Sequence, residues 1–580
     1  MKTTKNIARL AVTAGLTAAL SFGGVMTSVT MAFAEGTTTA TNGSVTIKNV
    51  EGNTTEFKGY QIFKADVTTV EGKTVASNIT WANDDVEAAV EGVINTVDTS
   101  YAGTTAQDAA DWIAKKVRDE NSGVAFNSTA YKIADAVDSL PADRTTINRV
   151  ASDLAHGYWL FVTSDLDPTK PNTGTSPIFV VVGDAAVNVA EKTSVPTVEK
   201  KILDDSKVKG GDVTGETEWV DAADSQVGQG VNYKLTGTIA DNYDSYDSYS
   251  YKFKDTLEKG LDYVDNSLSV YALNGDAYTE IDSTSYNVTK PSGSSRDLVV
   301  DFSKGENGLK SATAKNGGAL TIDADTKIVV FYKAKLNSSA VIAGANNKPN
   351  GNPNTVTLEY SNNPMSGGTG TSAPDTVVDY TYGLKINKVD LGTEKALKDA
   401  KFTITTNGGE NGTEVKYVKD DGTLSDSVVE LSTNVDGVIK LTGLDAGVYT
   451  VTETSAPTGY TKVDPFTFEI KPTMTADDPG AGLTGLAGVL DSKGQDGKVI
   501  AGLNDNSEGK VGDNKLEVKI GTSTNDDGTF NITVGDTKQI NLPLTGLNGV
   551  TFTWIAGGAV LCIGVAHLIR SRKRDDGSEE

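Results

Sequence analysis

The run Tyr449-Thr450-Val451-Thr452-Glu453-Thr454-Ser455-Ala456-Pro457-Thr458-Gly459-Tyr460 alternates large apolar with small polar residues as far as Glu453 and turns at Pro457 and Gly459. Side chains of a strand point to opposite faces in turn, so Tyr449, Val451 and Glu453 share one face. The face carrying Tyr449 and Val451 is the buried one, and Glu453 goes in with them. The same parity reading finds lysines in the same situation. Leu384 and Ile386 put Lys388 on a core face and leave Lys385 and Asn387 outside. In Pro196 to Leu203, Val198 and Ile202 put Lys200 between them, with Lys201 pointing out. A lysine is costly to bury unless something compensates it.

Compensating groups recur on inward faces. Tyr251 and Phe253 carry Asp255 inward, as Tyr449 and Val451 carry Glu453. Val356 and Leu358 set the face of Asn354, with Asn362 as a second residue of the same parity. Ile532 and Val534 set the face of Asp536, and Asn531 falls on the opposite face. Two sets follow: Lys200 with Asp255 and Asn354 or Asn362, and Lys388 with Glu453 and Asp536. An ordinary buried ion pair between lysine and acid accounts for the same pattern.

The strands holding these residues are short, with Gly, Asn and Asp between them, and beyond Val195 helical periodicity largely vanishes. That predicts β-sandwich domains. From Glu35 to Thr193 the pattern is mixed. Strand-like pieces at Ser44 to Val50 and Pro177 to Val182 bracket helices expected at Asp84 to Val97, Ala106 to Arg118 and Thr129 to Leu140. With 580 residues, three or four domains are expected at about 150 residues each. The division is a leader 1–34, an α+β domain 35–193, β-sandwiches 194–379 and 380–541, and a terminal signal 542–580. A Gly- and Asp-rich stretch near 473–515 reads as a loop insertion in the last sandwich.

Composition narrows the function. The 52 Lys and Arg stand against 77 Asp and Glu, a net charge of -25, which disfavours a nucleic-acid partner. One cysteine, Cys562, and two histidines, His156 and His567, leave little for thiol chemistry or zinc sites. No catalytic constellation for a surface enzyme emerges. Acid pairs such as Asp84-Asp85 and Asp420-Asp421 read as solvated charges, and Asp241 to Asp247 and Asn504 to Asp513 match no calcium-loop signature.

Both ends read as addresses. Lys2, Lys5 and Arg9, an apolar stretch from Leu10, and Ala32-Phe33-Ala34 form a secretory signal pattern. Val550 to Ile569 is a 20-residue run without charge, followed by Arg570, Arg572, Lys573 and Arg574. That is long enough to cross a bilayer of about 30 Å, with the basic cluster held in the cytoplasm. The signal carries three positive charges and the tail is balanced at four against four, so the exported part is more acidic than the whole.

Leu542-Pro543-Leu544-Thr545-Gly546, then the apolar run, then the basic tail, resembles the cell-wall sorting signal of Gram-positive surface proteins. The run around Glu453 resembles the E-box of Cna B-type domains, and Val231 to Leu261 resembles the isopeptide-forming second domain of fimbrial major subunits. Val187-Asn188-Val189-Ala190-Glu191-Lys192-Thr193 resembles the pilin motif of sortase-assembled pili, with Ala190-Glu191 where the family has an aromatic-Pro pair. The chain is similar to their backbone subunits over nearly its whole length.

The resemblance implies tandem Ig-like, Cna A/B-like sandwiches, each closed by a self-made isopeptide bond. These are Lys200 to Asn354 assisted by Asp255, and Lys388 to Asp536 assisted by Glu453. Asp536 stands where the family usually has Asn, so water would leave there instead of ammonia. Burial favours a neutral amine and a protonated acid, the forms the reaction needs. By analogy with disulfides, tying residues about 150 apart removes on the order of 5 kcal/mol of unfolded-chain entropy. A bond from first strand to last would let tension bypass the rest of each module.

The resemblance further implies that a sortase cleaves between Thr545 and Gly546 and that Lys192 of one subunit attacks the resulting thioester. The expected partners are therefore sortase, identical subunits, minor pilins, peptidoglycan and a host ligand, with no cofactor and no metal. The expected place is the cell wall or pilus of a Gram-positive bacterium, and the expected role is structural, not enzymatic. The alternative is a wall-anchored adhesin of the same architecture that is never polymerised.

Overall fold

The computed structural model describes residues 42–538 except 49–54, 71–72, 121–123, 141–144, 148, 165, 167–170, 191–192, 209–211, 346–349, 366, 408–413, 476–481, 492–498, 502–506, 509–514 and 519–527. The leader, Lys192, Leu542 to Gly546, the apolar run 550–569 and the basic tail lie outside the described residues. Among the described residues no helix is long and apolar enough to cross a membrane.

Apolar residues three and four apart define the helices Asp84–Val97, Ala106–Glu120 and Thr129–Asp138. Two of them start at side-chain caps, where Asn83 accepts from Val86 N at 2.9 Å and Ser128 accepts from Tyr131 N at 3.2 Å. Val90, Ile94, Ile113, Ile133 and Val137 bury their stripe against Ile62, Leu160 and Val162. Those three belong to a sheet built on Phe57–Val70, Gly157–Thr163 and Ile178–Val182. A second, small sheet sets Val187–Ala190 parallel to Gly43–Lys48, so the chain leaves it just before position 192.

From 198 to 380 two sheets face each other. One orders Ala277–Glu280, Ser269–Asn274, Lys327–Leu336, Val231–Gly237 and Val198–Leu203. The other runs Ala222–Asp224, Asp375–Tyr380, Asn352–Ser361, Tyr251–Leu257, Asp297–Asp301 and Asn287–Thr289. Both contribute to one core, including Tyr233, Leu235, Val330 and Tyr332 on one side and Tyr251, Phe253, Val356 and Leu358 on the other.

From 382 onward a second pair forms. Tyr382–Asp390 lies between Val438–Leu444, which is antiparallel, and Thr529–Lys538, which is parallel. The facing sheet contains Lys401–Thr406, Gly447–Ser455 and Phe466–Met474. The first and last strands of this region are thus neighbours. In the middle region they are not partners of that kind. Asn354 lies on Asn352–Ser361, and Thr369–Thr371 and Asp375–Tyr380 follow it, which corrects the expectation of a first-to-last tie there.

A second correction concerns the insertion expected near 473–515. Leu483–Asp491 is a nine-residue strand paired along Phe466–Met474, and Lys515–Val518 pairs with it in turn. Its alternation is hidden because Gly488 takes an inward position between Leu486 and Leu490. A Cβ at Gly488 would come within 2.5 Å of the Phe468 ring and 3.0 Å of the Phe530 ring. Only glycine fits that place, so the inward face shows no apolar residue where the pattern needs one.

The two regions join through residues 221–229. Ser225 N donates to Tyr380 O and Val227 N to Gly443 O, both at 2.9 Å. Gln226 Nε2 donates to Gly422 O, while Gln226 Oε1 accepts from Asp445 N at 3.1 Å. Gly443 has φ +85, and a Cβ on it would lie 2.3 Å from Val227. Around this plug the carboxyls of Asp224, Asp379 and Asp445 are buried, faced by Asp204, Asp205, Tyr233, Tyr382 and Tyr449. Ser225 Oγ donates to Asp379 at 2.9 Å, but burial outweighs that bond and pushes the Asp379 carboxyl up to about 8. Asp224 and Asp445 are raised well above the ordinary carboxylate range, first by burial and then by neighbouring acids.

A carboxyl raised from 3.8 in the unfolded chain to about 8 in the fold stabilises fully below about pH 4 and loses that contribution as pH rises through about 8. The thermal midpoint of wild type should therefore fall between pH 4 and pH 8 more steeply than that of Asp379→Asn, whose neutral amide does not titrate. Parallel curves would remove Asp379 as the source of the slope.

Candidate functional site

Lys200 is fully buried because Val198, Lys200 and Ile202 share the inward face of a strand whose register sets Lys200 opposite Leu235. Its Nζ crosses to the facing sheet and meets Asp255 Oδ1 at 2.6 Å. Asp255 is carried in by Tyr251 and Phe253, all three with no exposed surface. Asn354 enters from the adjacent strand, where Leu257 pairs with Asn354 and Asp255 with Val356. The three groups meet around the hydroxyl of Tyr332. Tyr332 Oη donates to Asp255 Oδ2 at 2.5 Å, accepts from Asn354 Nδ2 at 2.6 Å, and lies 3.0 Å from Lys200 Nζ. Asn354 Oδ1 is buried without a hydrogen-bond partner.

Aromatic rings wall off the amine. Tyr233 and Tyr332 stack with centroids 5.3 Å apart, and Lys200 Nζ is 5.3 Å from each. Burial pushes the Lys200 amine down against the attraction of Asp255, and burial pushes the Asp255 carboxyl up against the pull of Lys200. Both shifts run toward the neutral pair, an amine beside an acid. Asn362 is elsewhere. Its Nδ2 donates to Thr369 O at 3.0 Å, and its backbone O receives Gly174 N from the N-terminal region.

The second cluster is arranged differently. Lys388 and Asp536 lie on the parallel pair of strands, with Lys388 opposite Val534 and Asp390 opposite Asp536. Lys388 Nζ bonds Asp536 Oδ1 within its own sheet and Glu453 Oε2 at 2.9 Å in the facing sheet. Val463 N also donates to Glu453 Oε2, at 2.9 Å, and the Phe402 ring centroid lies 5.6 Å from Nζ. Lys388 and Asp536 are fully buried and Glu453 nearly so, and Glu453 Oε1 and Asp536 Oδ2 have no hydrogen-bond partner. Burial, reinforced by Glu453, pushes the Asp536 carboxyl up to about 6 despite Lys388.

Asp390, two residues from Lys388, does not join the cluster. It accepts from Tyr460 Oη at 2.7 Å and from Gly392 N and Thr393 N at 2.9 Å, which hold its carboxyl down at about 2. Asn531 meets Asn387 at 3.4 Å, as the opposite-face reading requires.

The structure thus brings together Lys200, Asp255 and Asn354 in one cluster and Lys388, Glu453 and Asp536 in another. Sequence reasoning missed Tyr332. It shares parity with Ile328, Val330 and Ala334, but residues 328–332 are buried on both faces, so no alternation singles it out. Among the described residues no group of three or more His, Cys, Asp or Glu is arranged to hold a metal ion. The stretch Asn504 to Asp513 lies almost wholly outside the described residues.

Residues 383–478 match the SpaA family, a prealbumin-like fold domain. The matched stretch contains Lys388 and Glu453 and stops before Asp536. The trypsin-resistant surface T6 protein of Streptococcus pyogenes serotype M6 is 24% identical over 299 residues, which is 48% of this chain and 46% of that protein. The chain therefore matches about half the length of this curated relative.

Solved structures similar in outline include the T6 backbone pilin of Streptococcus pyogenes serotype M6, at 16% identity and a TM-score of 0.47. The full-length major pilin SpaD of Corynebacterium diphtheriae follows at 16% identity and 0.42. Each alignment covers 86% of this chain and 98% of the other. The major pilin subunit BcpA of Bacillus cereus aligns over 86% of this chain and 99% of its own, at 14% identity and 0.36.

Removing one member of a buried charged cluster leaves its partners uncompensated, at a cost of about 3–5 kcal/mol. Glu453→Ala should lower the thermal midpoint of the part from 382 to 538 by such a loss. Asp390→Ala, at a turn closed by Tyr460, should cost clearly less. Equal melting curves for wild type and Glu453→Ala would show that Glu453 does not hold this cluster.

Proposed function

We propose that this chain is the backbone subunit of a sortase-assembled pilus, polymerised through Lys192 and Thr545 and stabilised by two internal isopeptide bonds. The observation that carries the reading is the repeated cluster: a fully buried lysine against a buried carboxyl, with Asn354 on the tyrosine hydroxyl that Lys200 also meets in one case and Asp536 bonded to Lys388 in the other. Ordinary surface ion pairs need no such burial. The match to the SpaA family, the relationship to a streptococcal surface protein and the tripartite ending 542–580 support the same reading.

In the middle region the Lys200 amine attacks Cγ of Asn354, a C–N bond forms and ammonia leaves. Asp255 as a neutral acid lies against Lys200 Nζ through Oδ1 and exchanges the proton that the amine gives up for the one that leaves with the ammonia. In the last region Lys388 attacks Cγ of Asp536 and water leaves, with Glu453 in the assisting place. Both are single-turnover reactions of the folded chain, so the chain is not an enzyme. Proposed domain limits are 35–193, 194–379 and 380–541. The leader exports the chain, and the pentapeptide Leu542 to Gly546 hands Thr545 to the sortase. Lys192 of a neighbouring copy or a peptidoglycan amine then takes over the acyl group. Successive head-to-tail joining gives an open filament.

The intact mass of the exported part should be lower than its sequence mass by one ammonia and one water. Asn354→Ala should retain the water loss alone, and Asn362→Ala should retain both. A mass equal to the sequence mass would overturn both crosslinks. The acceptor Asp536 must be protonated to lose water, and its carboxyl sits at about 6, so formation of this bond should slow as pH rises above about 6.

Assembly is checked on cell-wall extracts boiled in detergent, where only a covalent polymer survives as a ladder. Lys192→Ala should abolish the ladder but keep single subunits on the wall, and replacement of Thr545 should abolish both. A full ladder with Lys192→Ala would exclude Lys192 as the linking residue. A wall-anchored adhesin without a polymer would show no ladder even in wild type.

A further inference from the structure

The ammonia lost from Asn354 needs a proton at its nitrogen, and the attacking amine must give one up. In the middle cluster those two nitrogens sit on either side of one hydroxyl. Tyr332 Oη is 3.0 Å from Lys200 Nζ, 2.6 Å from Asn354 Nδ2 and 2.5 Å from Asp255 Oδ2. The Tyr332 residue is 1% exposed, so bulk water does not serve this exchange. Its ring is already held by the stack on Tyr233, and packing alone gives no reason for an oxygen in this place.

We infer that Tyr332 is a catalytic residue of the middle crosslink, relaying a proton from Asp255 to the nitrogen that leaves Asn354. The inference rests on the isopeptide reading of this cluster. The steps balance without any outside reagent. The Lys200 Nζ lone pair forms the bond to Cγ of Asn354, and the carbonyl π pair moves to Oδ1. Nζ then passes a proton to Asp255 Oδ1 across their 2.6 Å contact. With Asp255 neutral, the 2.5 Å contact is reversed and Oδ2 donates to Tyr332 Oη. The tetrahedral carbon frees the lone pair of Nδ2, so the Tyr332 hydroxyl gives its own proton to Nδ2 and takes the Oδ2 proton of Asp255 in its place. The C–Nδ2 bond breaks with its electron pair on nitrogen, the carbonyl re-forms, and ammonia leaves. Asp255 and Tyr332 end neutral, as they began.

The last cluster supplies a contrast. The hydrogen bonds at Lys388 Nζ run to Glu453 and Asp536, and among the described residues no hydroxyl bonds this amine. Its leaving group is water from an acid that can bring its own proton, so a relay is not required there.

The test is a time course of intact mass after pulse synthesis of the full exported chain in a cell-free system. Tyr332→Phe keeps the ring and removes only the oxygen. Ammonia loss in this variant should slow by about a hundredfold, within the usual range for general acid–base groups. Water loss from the last region should be unchanged and serves as an internal clock. Tyr360→Phe, in the same core but with a hydroxyl that donates to Asn172 O at 3.0 Å away from the cluster, should leave ammonia loss at the wild-type rate. If Tyr332→Phe does not fold, a fluorotyrosine at 332, of nearly the same shape and with a more acidic hydroxyl, should shift the pH dependence of ammonia loss.

Wild-type rates in Tyr332→Phe, or an unshifted profile with fluorotyrosine, would overturn the relay and leave the crosslink standing. No ammonia loss in wild type itself would overturn the crosslink reading and the relay together.

Discussion

Two lysine amines without exposed surface are the constraint on which the rest of this structure depends. An ammonium taken out of water loses far more than one contact returns, so each lysine must either meet an acid at hydrogen-bond distance or shed its proton. Both outcomes need two closed sheets, because three of the four groups gathered at the lysines arrive from the opposite side. Asp255 and Asn354 reach Lys200 across the core, and Glu453 reaches Lys388 in the same way. The rings of Tyr233, Tyr332 and Phe402 keep water away from the amines. The polar clusters therefore tie the facing sheets to each other within the apolar cores.

The same physics acts with the opposite sign at the junction of the two regions. There Asp224, Asp379 and Asp445 are buried among one another and among tyrosines, and the groups facing them are further acids. Among the described residues no cation faces them, and the fold favours their protonated forms. Lysine clusters make the interior of each sandwich depend on pairing, and the junction depends on protons held by Asp224, Asp379 and Asp445. Acidic surroundings thus favour the joint between the two sandwiches. The plug Ser225-Gln226-Val227 closes that joint through backbone groups of Tyr380, Gly422 and Gly443, which do not titrate.

Parity explains what could be read in advance. A period of two in short strands assigns a face to each residue with no knowledge of the partner strand, so Lys200, Asp255, Asn354, Lys388, Glu453 and Asp536 were all legible as inward. The three helices were legible from their apolar stripes, with ends expected at Arg118 and Leu140 where the structure has Glu120 and Asp138. Parity fails where both faces are buried, which hid Tyr332 in Lys327–Leu336, and where a glycine takes the inward place, which hid Leu483–Asp491. It says little about three-residue strands and connections, so Asp224, at the end of Ala222–Asp224, and Asp445, just after Val438–Leu444, gave no signal. The choice between Asn354 and Asn362 also needed three dimensions, because both have the right parity and only Asn354 reaches the tyrosine hydroxyl that Lys200 meets.

Geometry separates the two clusters in what a covalent bond would do to them. Lys388 and Asp536 lie on adjacent parallel strands, so a bond between them spans a single inter-strand gap in one sheet. It fixes register where a parallel pair has no hairpin to do so. Lys200 and Asn354 lie in different sheets, so a bond there staples the sandwich through its core and resists separation of the layers. Neither bond can form before its sheets have closed, because the amine becomes a nucleophile only once it is desolvated. Each would therefore lock in a structure already correct, and its effect would fall on the unfolding rate and not on the search that precedes it.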